Sequence, residues 1–267
     1  MSKTFGFIGC GNMGGALAKA VSQAGYSDDI LLADINTEKV KSLSAEISAE
    51  PSDAVTVARE CKFIFIGVKP QMIGDCFEKI RAEFESREVK PVIISMAAGV
   101  SVSRIKDLSG IDSVIRIMPN MPVSVGSGVV LACADGLTDE QQDVFEHAMC
   151  KAGILDWLDE KFFDVASAVS GCGPAFVYMF AQALADGAVM NGLPRDKALI
   201  YAAGTLEGAA KMILESGKHP EELKDNVCSP NGSTIMGVKA LEDGKLRGVV
   251  MSAVQASYIR TKELGKS

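Results

Sequence analysis

Residues 4–15 read TFGFIGCGNMGG, an apolar run followed by three glycines in the spacing G-x-G-x-x-G. Gly9 permits a tight turn at the end of a strand, Gly11 lets a pyrophosphate approach the backbone, and Gly14 lets the next helix pack closely on the sheet. The helix that begins here points unpaired N–H groups and the positive end of its dipole at bound phosphates. The stretch therefore predicts a dinucleotide-binding turn between a strand and a helix.

A second apolar run, Ile30–Ala33, ends in Asp34, twenty residues after Gly14. An acidic residue at about this distance from the glycine motif binds a ribose in dinucleotide-binding folds. The other interpretation of Asp34 is a turn residue at a strand end, but its position argues against that. The two signals together are stronger than the glycine motif alone, because glycine-rich turns also arise from packing.

The composition indicates a soluble globular protein, since 48% of the 267 residues are hydrophobic, 23% are charged and the net charge is −7. An acidic chain without a basic run is a poor candidate for binding nucleic acid or anionic membranes. We expect a cytoplasmic protein, because no signal-peptide pattern opens the sequence and the apolar stretch 175–185 is too short to span a bilayer. We predict no metal site, because His147 and His219 lack ligand-like neighbours, and reduced cysteines, because the seven contain no C-x-x-C.

From residue 4 to about residue 157, short β-rich runs alternate with helical patterns, which is typical of a doubly wound parallel sheet. The predicted strands are 5–8, 30–33, 63–68, 92–95, 113–118, 128–132 and 154–157. The predicted helices between them are 15–24, 37–48, 51–60, 72–85, 102–108 and 139–150. Thr138 and Gln141 have the spacing of a capping box at the start of the last of these helices.

The β-rich runs stop after Asp159, and helical patterns follow at 161–169, 174–191, 194–215, 221–227, 234–242 and 246–264. We therefore predict two domains, a dinucleotide-binding domain at 1–159 and an all-helical domain at 160–267. The long helices of the second domain carry small apolar residues on several faces, and a unit of this size cannot bury them all internally. We expect another subunit to cover them, with a well-packed monomeric bundle as the alternative.

Candidate ligand contacts follow three of the predicted strands, because ligands bind at the carboxyl ends of strands in doubly wound sheets. The third strand ends in VKPQ at 68–71, the fourth in SMAAG at 95–99 and the fifth in RIMPN at 116–120. Ala97 and Ala98 are small enough for a flat ring to lie against the backbone. Lys69 is either a cofactor contact or a solvated lysine before the turn proline Pro70.

The helical domain offers a polar turn, NVCSPNGST, at 226–234. Residues 231–234 would open a helix with several unpaired N–H groups, and such a nest can hold a carboxylate. Plain N-capping by Ser233 or Thr234 is the other interpretation. Neither histidine is in a site-like setting, and 162–196 contains no lysine. A protonated C=N+ substrate therefore fits the chain better than a ketone or alcohol, which needs an acid or base.

Together these motifs resemble pyrroline-5-carboxylate reductase, and the resemblance covers nearly the whole chain. The segments that carry it are FIGCGNMGG at 7–15, VKPQ at 68–71, AAGV at 97–100, RIMPNMP at 116–122, SGCGPA at 170–175, GLPR at 192–195, residues 224–234 and IRTKEL at 259–264. The glycine motif alone is unspecific, but the set of motifs is highly specific.

This resemblance implies a Rossmann-type domain followed by a helical dimerisation domain, and the last step of proline biosynthesis. Members of the family transfer a hydride from NADPH or NADH to the ring imine of 1-pyrroline-5-carboxylate, giving L-proline, and they form homodimers and also decamers. By this likeness, the cofactor-binding residues would be Ile8, Gly9, Cys10, Gly11, Asn12, Met13, Asp34, Asn36, Val68, Lys69, Pro70, Met96, Ala97 and Ala98. The substrate-binding residues would be Asn226, Ser229, Ser233 and Thr234, and the Thr234 hydroxyl, bonded to the ring nitrogen, would be the catalytic group.

Two residues depart from the family's usual pattern, since Asn231 stands in place of a glycine and Cys172 in place of a serine. Asparagine tolerates left-handed backbone better than most residues do. The Asp34 carboxylate sits where a 2′-phosphate would come and should favour NADH, although Asn36 and Lys39 could soften this effect.

Two other functions stay open at this point. A β-hydroxyacid dehydrogenase shares the glycine motif and a helical second domain, but it needs a catalytic lysine that residues 173–191 lack. A dinucleotide-sensing regulatory protein without catalysis would explain the first domain, but it gives no reason for the polar turn at 226–234.

Overall fold

The computed structural model describes residues 3–264, and its sheet has eight strands within that range. They are β1 Lys3–Ile8, β2 Ile30–Ala33, β3 Glu50–Pro51, β4 Cys61–Ile66, β5 Val92–Ser95, β6 Val114–Pro119, β7 Gly128–Asp135 and β8 Gly153–Trp157. The strand order is β3-β2-β1-β4-β5-β6-β7-β8, and every neighbouring pair except β6–β7 is parallel. The predicted doubly wound sheet is confirmed, because its first six strands follow the order of a dinucleotide-binding fold.

Two features of the sheet differ from the prediction. Strand β7 runs antiparallel to β6, because residues 120–127 between them are too few for the crossover that a parallel pair needs. The two-residue strand β3 pairs with Leu31 and Leu32, where the sequence predicted the start of a helix. A strand this short gives no periodic pattern, and the helix begins only after Asp53, whose side chain accepts a hydrogen bond from the Thr56 N–H at 2.9 Å.

The helices lie close to their predicted positions. They are α1 Asn12–Val21, α2 Thr37–Ile47, α3 Ala54–Glu60, α4 Ile73–Ser86, α5 Val102–Ser109, α6 Asp139–Met149, α7 Phe163–Ser170, α8 Gly173–Met190, α9 Arg195–Ser216, α10 Pro220–Val227, α11 Ser233–Asp243 and α12 Leu246–Leu264. The predicted capping box of α6 is confirmed, since Thr138 Oγ1 accepts from the Gln141 N–H at 3.2 Å and Gln141 Oε1 accepts from the Thr138 N–H at 3.0 Å.

Each face of the sheet is covered by its own apolar cluster. Alternation along the strands sends Phe5 and Phe7 to one face and Ile8 to the other, because successive side chains of a strand point to opposite faces. Phe7 stacks on Phe65 of the neighbouring strand with ring centroids 4.3 Å apart. These largely buried strands hold the carboxyl ends of β1, β2, β4 and β5 in a fixed row.

The first compact unit extends through α7 to Gly171 and includes the end of α12. Helix α7 belongs to this unit because its residues pack on the sheet. The Phe163 ring is buried under the guanidinium of Arg116, 4.7 Å from the ring centroid. At the other end of α7, Asn120 Nδ2 donates a hydrogen bond to the Ser170 carbonyl at 2.9 Å. Two buried polar side chains from β6 and its end therefore hold α7 in place.

The second compact unit is Cys172–Ser257. The domain boundary that the sequence places at Asp159 stays a prediction. In the structure α7, which follows Asp159, packs with the first unit. Within the second unit the buried apolar cluster is small and consists of Ala185, Ala198 and Ala202 with three partly buried neighbours. Large apolar side chains on its helices are exposed, among them Tyr178, Met179, Met190, Ile200, Tyr201, Leu214, Met236, Val249 and Met251.

The helical stretch Glu160–Met190 is long and apolar enough to cross a membrane by length and composition, with a mean hydropathy of 1.3. Only 11% of its most apolar segment is buried. A turn at residues 171–172 divides this stretch into α7 and α8. An apolar face that another subunit covers has the same composition.

Candidate active site

The turn after β1 requires a glycine at position 9. Gly9 has φ +101°, and its N–H donates to the Ala33 carbonyl at 2.8 Å. A Cβ at Gly9 would lie 2.6 Å from the carbonyl carbon and oxygen of Gly67, the residue that follows β4. The ends of β1, β2 and β4 therefore meet at this turn at a distance that excludes a side chain.

Gly14 and Gly11 have different surroundings. A Cβ at Gly14 would overlap the carbonyl oxygen of Gly9, so α1 can approach the turn only with glycine there. Gly11 is the N-cap of α1 and faces open space, with nothing near a hypothetical Cβ. No side chain caps α1, so the N–H groups of its first turn are open to a ligand. This is the geometry that a pyrophosphate needs.

Asp34 links the glycine turn to the end of β2. Its Oδ2 accepts from the Cys10 N–H at 2.7 Å, and its Oδ1 accepts from the Asn36 N–H at 2.8 Å. A carboxylate has about four acceptor positions, so ribose hydroxyls still find room beside these two bonds. Asp34 therefore has the contacts of a turn residue and the position of a ribose ligand, and Asn36 serves as the N-cap of α2 by accepting from the Lys39 N–H at 3.2 Å.

The Cys10 thiol is a structural group rather than a reactive one. Burial, and then the charge of Asp34, raise the pKa of Cys10 to about 12, while its bond to the Ala33 carbonyl lowers it. The neutral thiol lies 3.5 Å from that carbonyl oxygen. All seven cysteines are free.

The predicted contacts after β4 and β5 lie at the same edge of the sheet as the glycine turn. The Met96 N–H donates to the Ile66 carbonyl at 3.4 Å, which fixes the two strand ends side by side. Ala97 is buried and its N–H lies 3.3 Å from Ser95 Oγ, whereas Ala98 is exposed. Lys69 is exposed, and its two interpretations stay open.

A cleft of about 410 Å³ opens beside the glycine turn. Its lining residues are Cys10, Gly11, Asn12, Gly15, Ala16, Lys19, Lys39, Ser42, Leu43, Glu46, Met121 and Ser124. Of these, Cys10, Gly11 and Asn12 are predicted cofactor contacts, and Lys39 was named only for its possible effect on cofactor preference. Sequence reasoning missed the rest, although Ser42 lies about one helical turn after Lys39, a spacing that could have indicated it. Lys19 pairs with Glu46 at 2.6 Å.

Another cleft, of about 520 Å³, lies elsewhere in the first unit and contains none of the predicted site residues. The ion pair between Lys106 and Asp135, at 2.6 Å, lines it together with Cys133 and Glu160. Within residues 3–264 no group of three His, Cys, Asp or Glu side chains has the arrangement of a metal site.

The polar turn of the second unit opens α11. Gly232 is the N-cap of this helix and no side chain caps it, so the N-capping interpretation of Ser233 and Thr234 is wrong. In the part of the chain that the structure describes, the side chains of Asn226, Ser229, Ser233 and Thr234 make no hydrogen bond. The turn therefore presents an amide, three hydroxyls and the N–H groups of a helix start.

Asn231 adopts the left-handed conformation, with φ +57°. Its successor Gly232 donates its N–H to the Ser229 carbonyl at 3.0 Å, which closes the turn. Position 231 thus needs a residue that accepts positive φ, and asparagine is the usual substitute for glycine there. The departure at Asn231 preserves the form of the turn.

The first relative to compare is a pyrroline-5-carboxylate reductase from Pisum sativum, 38% identical over 98% of this chain and 96% of its own length. The chain belongs to the pyrroline-5-carboxylate reductase family. Residues 160–264 match the family model for pyrroline-5-carboxylate reductase dimerisation, and residues 4–99 match the model for NADP oxidoreductase, coenzyme F420-dependent. The resemblance inferred from the motifs is confirmed, and the chain is an NAD(P)-dependent oxidoreductase of this family.

Two solved structures of pyrroline-5-carboxylate reductases have the same fold. The enzyme from Coxiella burnetii has a TM-score of 0.91, 28% identity and full coverage of both chains. The pyrroline carboxylate reductase from Plasmodium falciparum, solved with NADP bound, has a TM-score of 0.85, 29% identity and 98% coverage of both chains. The similarity extends over both compact units, so the predicted fold class is confirmed for the whole chain.

Proposed function

We propose that this chain reduces the ring imine of 1-pyrroline-5-carboxylate to L-proline with NADH or NADPH. The observation that carries the proposal is the turn at 226–234, where the polar side chains, that of Thr234 among them, make no hydrogen bond within residues 3–264, in a chain of this family. A β-hydroxyacid dehydrogenase would need a lysine in α8, which has none. A sensor without catalysis would have no use for free polar groups at this turn.

The residues of the first unit fit a nicotinamide dinucleotide. Gly11 leaves open space beside the uncapped start of α1, and Asp34 retains acceptor capacity for a ribose. The bound cofactor supplies the hydride. The remaining contacts that we assign to it are Ile8–Met13, Asn36, Val68, Lys69, Pro70, Met96, Ala97 and Ala98.

The residues of the second unit fit a small cyclic acid. We assign the substrate carboxylate to the N–H groups at the start of α11 and to the hydroxyl of Ser233, with Asn226 and Ser229 completing the pocket. Thr234, which is half-buried, would hydrogen-bond the ring nitrogen. The protonated imine already carries its proton, so the protein contributes positioning and electrostatic complementarity more than acid–base chemistry.

The direct test is a spectrophotometric assay of the purified chain with the imine and each reduced nicotinamide cofactor. We expect reduced-nicotinamide absorbance to fall only when the imine is present, and L-proline to accumulate in equal amount. A 2-keto acid and a 3-hydroxy acid, tested with the reduced and oxidised cofactors respectively, serve as controls for the dehydrogenase alternative. Cofactor binding without turnover of the imine would support a sensor and contradict the proposal.

We predict that NADH is at least as good a cofactor as NADPH. The Asp34 carboxylate repels a 2′-phosphate, and Asn36 and the exposed Lys39 offset this repulsion only in part. Steady-state kcat/KM values for the two cofactors at saturating imine would measure the preference. An Asp34→Asn variant should shift the ratio toward NADPH, and a wild-type enzyme with much higher kcat/KM for NADPH would contradict the prediction.

The exposed apolar side chains of α8, α9, α11 and α12 are assigned to a homodimer interface, and decamers built from such dimers belong to the same proposal. We predict that Met179→Glu, which places a charge on α8, lowers the molecular mass in solution to that of one chain. Val89→Glu is the matched control, because both side chains are 74% exposed and Val89 lies in the first unit. Light scattering coupled to size-exclusion chromatography measures the molecular mass.

Three outcomes of this experiment are distinct. A wild-type dimer that dissociates only with Met179→Glu supports the interface. A wild-type monomer contradicts it and leaves the monomeric bundle. Extraction of the wild-type chain with the lipid fraction would assign the apolar face to a membrane, contrary to our proposal of a cytoplasmic protein that binds neither membrane nor nucleic acid.

A further inference from the structure

We propose that Arg247 is a positioning residue for the substrate turn at 226–234. This inference rests on the proposed function, because it concerns how that turn is held. Arg247 lies in the first turn of α12, outside the set of residues assigned to substrate. Its Nη1 lies 2.9 Å from Glu221 Oε1 in the first turn of α10, and its Nε lies 2.7 Å from Glu242 Oε1 in the last turn of α11. One guanidinium thus joins the two helices that flank the turn.

Helix α10 has little else to hold it within this chain. It has eight residues, and none of them is buried. A helix of two turns is not stable by itself in water, so its place depends on contacts to its neighbours. Helix α11 has no buried residue either. The charged contacts of Glu221 therefore help to hold α10, and with it the start of the turn, against its neighbours.

Both oxygens of Glu221 are engaged. Lys224 Nζ donates to Glu221 Oε2 at 2.7 Å, while Arg247 holds Oε1. The bond from Lys224, followed by that from Arg247, lowers the pKa of Glu221 to about 2. The carboxylate is thus ionised throughout the range in which an enzyme is assayed. Lys224 is in the same helix as Glu221, so only Arg247 ties α10 to the rest of the second unit through this carboxylate.

A flexible guanidinium–carboxylate pair at a surface adds little to stability, but a pair that joins separate elements fixes geometry. Loss of the Arg247 contact should let α10 shift and should misplace Asn226 and Ser229 relative to Ser233. The expected effect is on binding of the imine acid. The cofactor-binding residues lie in the first unit and should keep their affinity.

The test compares Arg247→Ala with Lys239→Ala, which removes the exposed ion pair between Lys239 and Asp243 inside α11. We expect Arg247→Ala to raise KM for the imine about fivefold, with kcat and the Kd for NADH changed less than about twofold. Lys239→Ala should leave all three values at those of the wild type. Arg247→Lys supplies a point charge without the planar fork and should restore KM only in part.

A double-mutant cycle adds a readout that a general loss of stability would not produce. Glu221→Gln should raise KM by no more than Arg247→Ala does, and the double variant should show no rise beyond that of Arg247→Ala, because Glu221→Gln weakens a contact that Arg247→Ala removes altogether. Additive effects in the cycle would overturn the proposal. So would Arg247→Ala kinetics equal to those of Lys239→Ala, or a parallel fall in kcat, cofactor affinity and thermal stability.

Failure of the proposed function is recognised separately. A wild-type enzyme that does not reduce the imine removes both the function and this inference. A wild-type enzyme that does reduce it, with an unchanged KM in Arg247→Ala and Glu221→Gln, removes only the role of Arg247. Should Arg247→Ala fail to fold, Glu221→Gln alone decides the question, because it keeps nearly the same shape.

Discussion

Replacement of Gly14 by alanine is expected to destabilise the first unit by about 3 kcal/mol and to abolish cofactor binding. A Cβ at this position would overlap the carbonyl oxygen of Gly9, which is backbone and cannot rotate away. Relief of the overlap requires α1 to move off the turn, and the N–H groups that face the pyrophosphate move with it. Urea unfolding measures the first effect, and a fluorescence titration with NADH measures the second.

Two neighbouring glycines serve as controls for this prediction. A Cβ at Gly15 would make ordinary contacts of 3.7 Å with the Cys10 carbonyl oxygen and with Leu43, so Gly15→Ala should keep both fold and affinity. A Cβ at Gly11 meets open space, so Gly11→Ala should keep the fold and lower only the affinity for the cofactor. If Gly14→Ala behaves like Gly15→Ala, then the close approach of α1 to the turn is not what the motif provides.

The parts of the fold that the sequence predicted are those determined locally. The glycine turn, the strand runs and the capping box at Thr138 each depend on residues a few positions apart, and their patterns are visible without tertiary contacts. Asn231 is a similar case. Its tolerance of positive φ is a property of the residue itself, and the turn places it at φ +57°.

The parts that the sequence did not predict depend on distant residues. Arg116 pairs with Glu160 at 2.7 Å, and Glu160 also accepts from the Val102 N–H at 2.9 Å. Asn120 joins β7 to the end of α7 by accepting from the Val129 N–H at 2.8 Å and donating to Ser170. These partners are up to 58 residues apart, and a sequence pattern carries no information on which buried polar groups will meet.

The candidate site was likewise predictable only where its residues follow from local patterns. Residues at strand ends follow from the topology of a doubly wound sheet, so the row formed by Ile8, Asp34, Val68 and Met96 could be foreseen. The hydrogen bonds of Asp34 could not, because the donors Cys10 and Asn36 are backbone N–H groups whose direction only the folded turn sets. Arg247 was not predicted either, because its partners Glu221 and Glu242 lie on other helices of the second unit and only folding brings them together.

Replacement of Thr234 by alanine is expected to lower kcat by about two orders of magnitude while the Kd for NADH is unchanged. The Thr234 hydroxyl makes no hydrogen bond to the described part of the chain and does not cap α11, so its loss removes no structural contact. The loss of the hydroxyl is therefore expected to act through the substrate, and the loss of the methyl group is controlled separately. Pre-steady-state and steady-state assays with the imine would separate turnover from binding.

Two further substitutions at the same position decide whether the hydroxyl or the volume of the side chain matters. Thr234→Val keeps the shape without the hydroxyl and should be as slow as Thr234→Ala, whereas Thr234→Ser keeps the hydroxyl and should recover most of the turnover. Valine has nearly the shape of threonine, so Thr234→Val keeps the packing of this half-buried side chain at the start of α11. Unchanged turnover in Thr234→Ala would remove this residue from the mechanism and leave the N–H groups at the start of α11 as the groups that orient the ring.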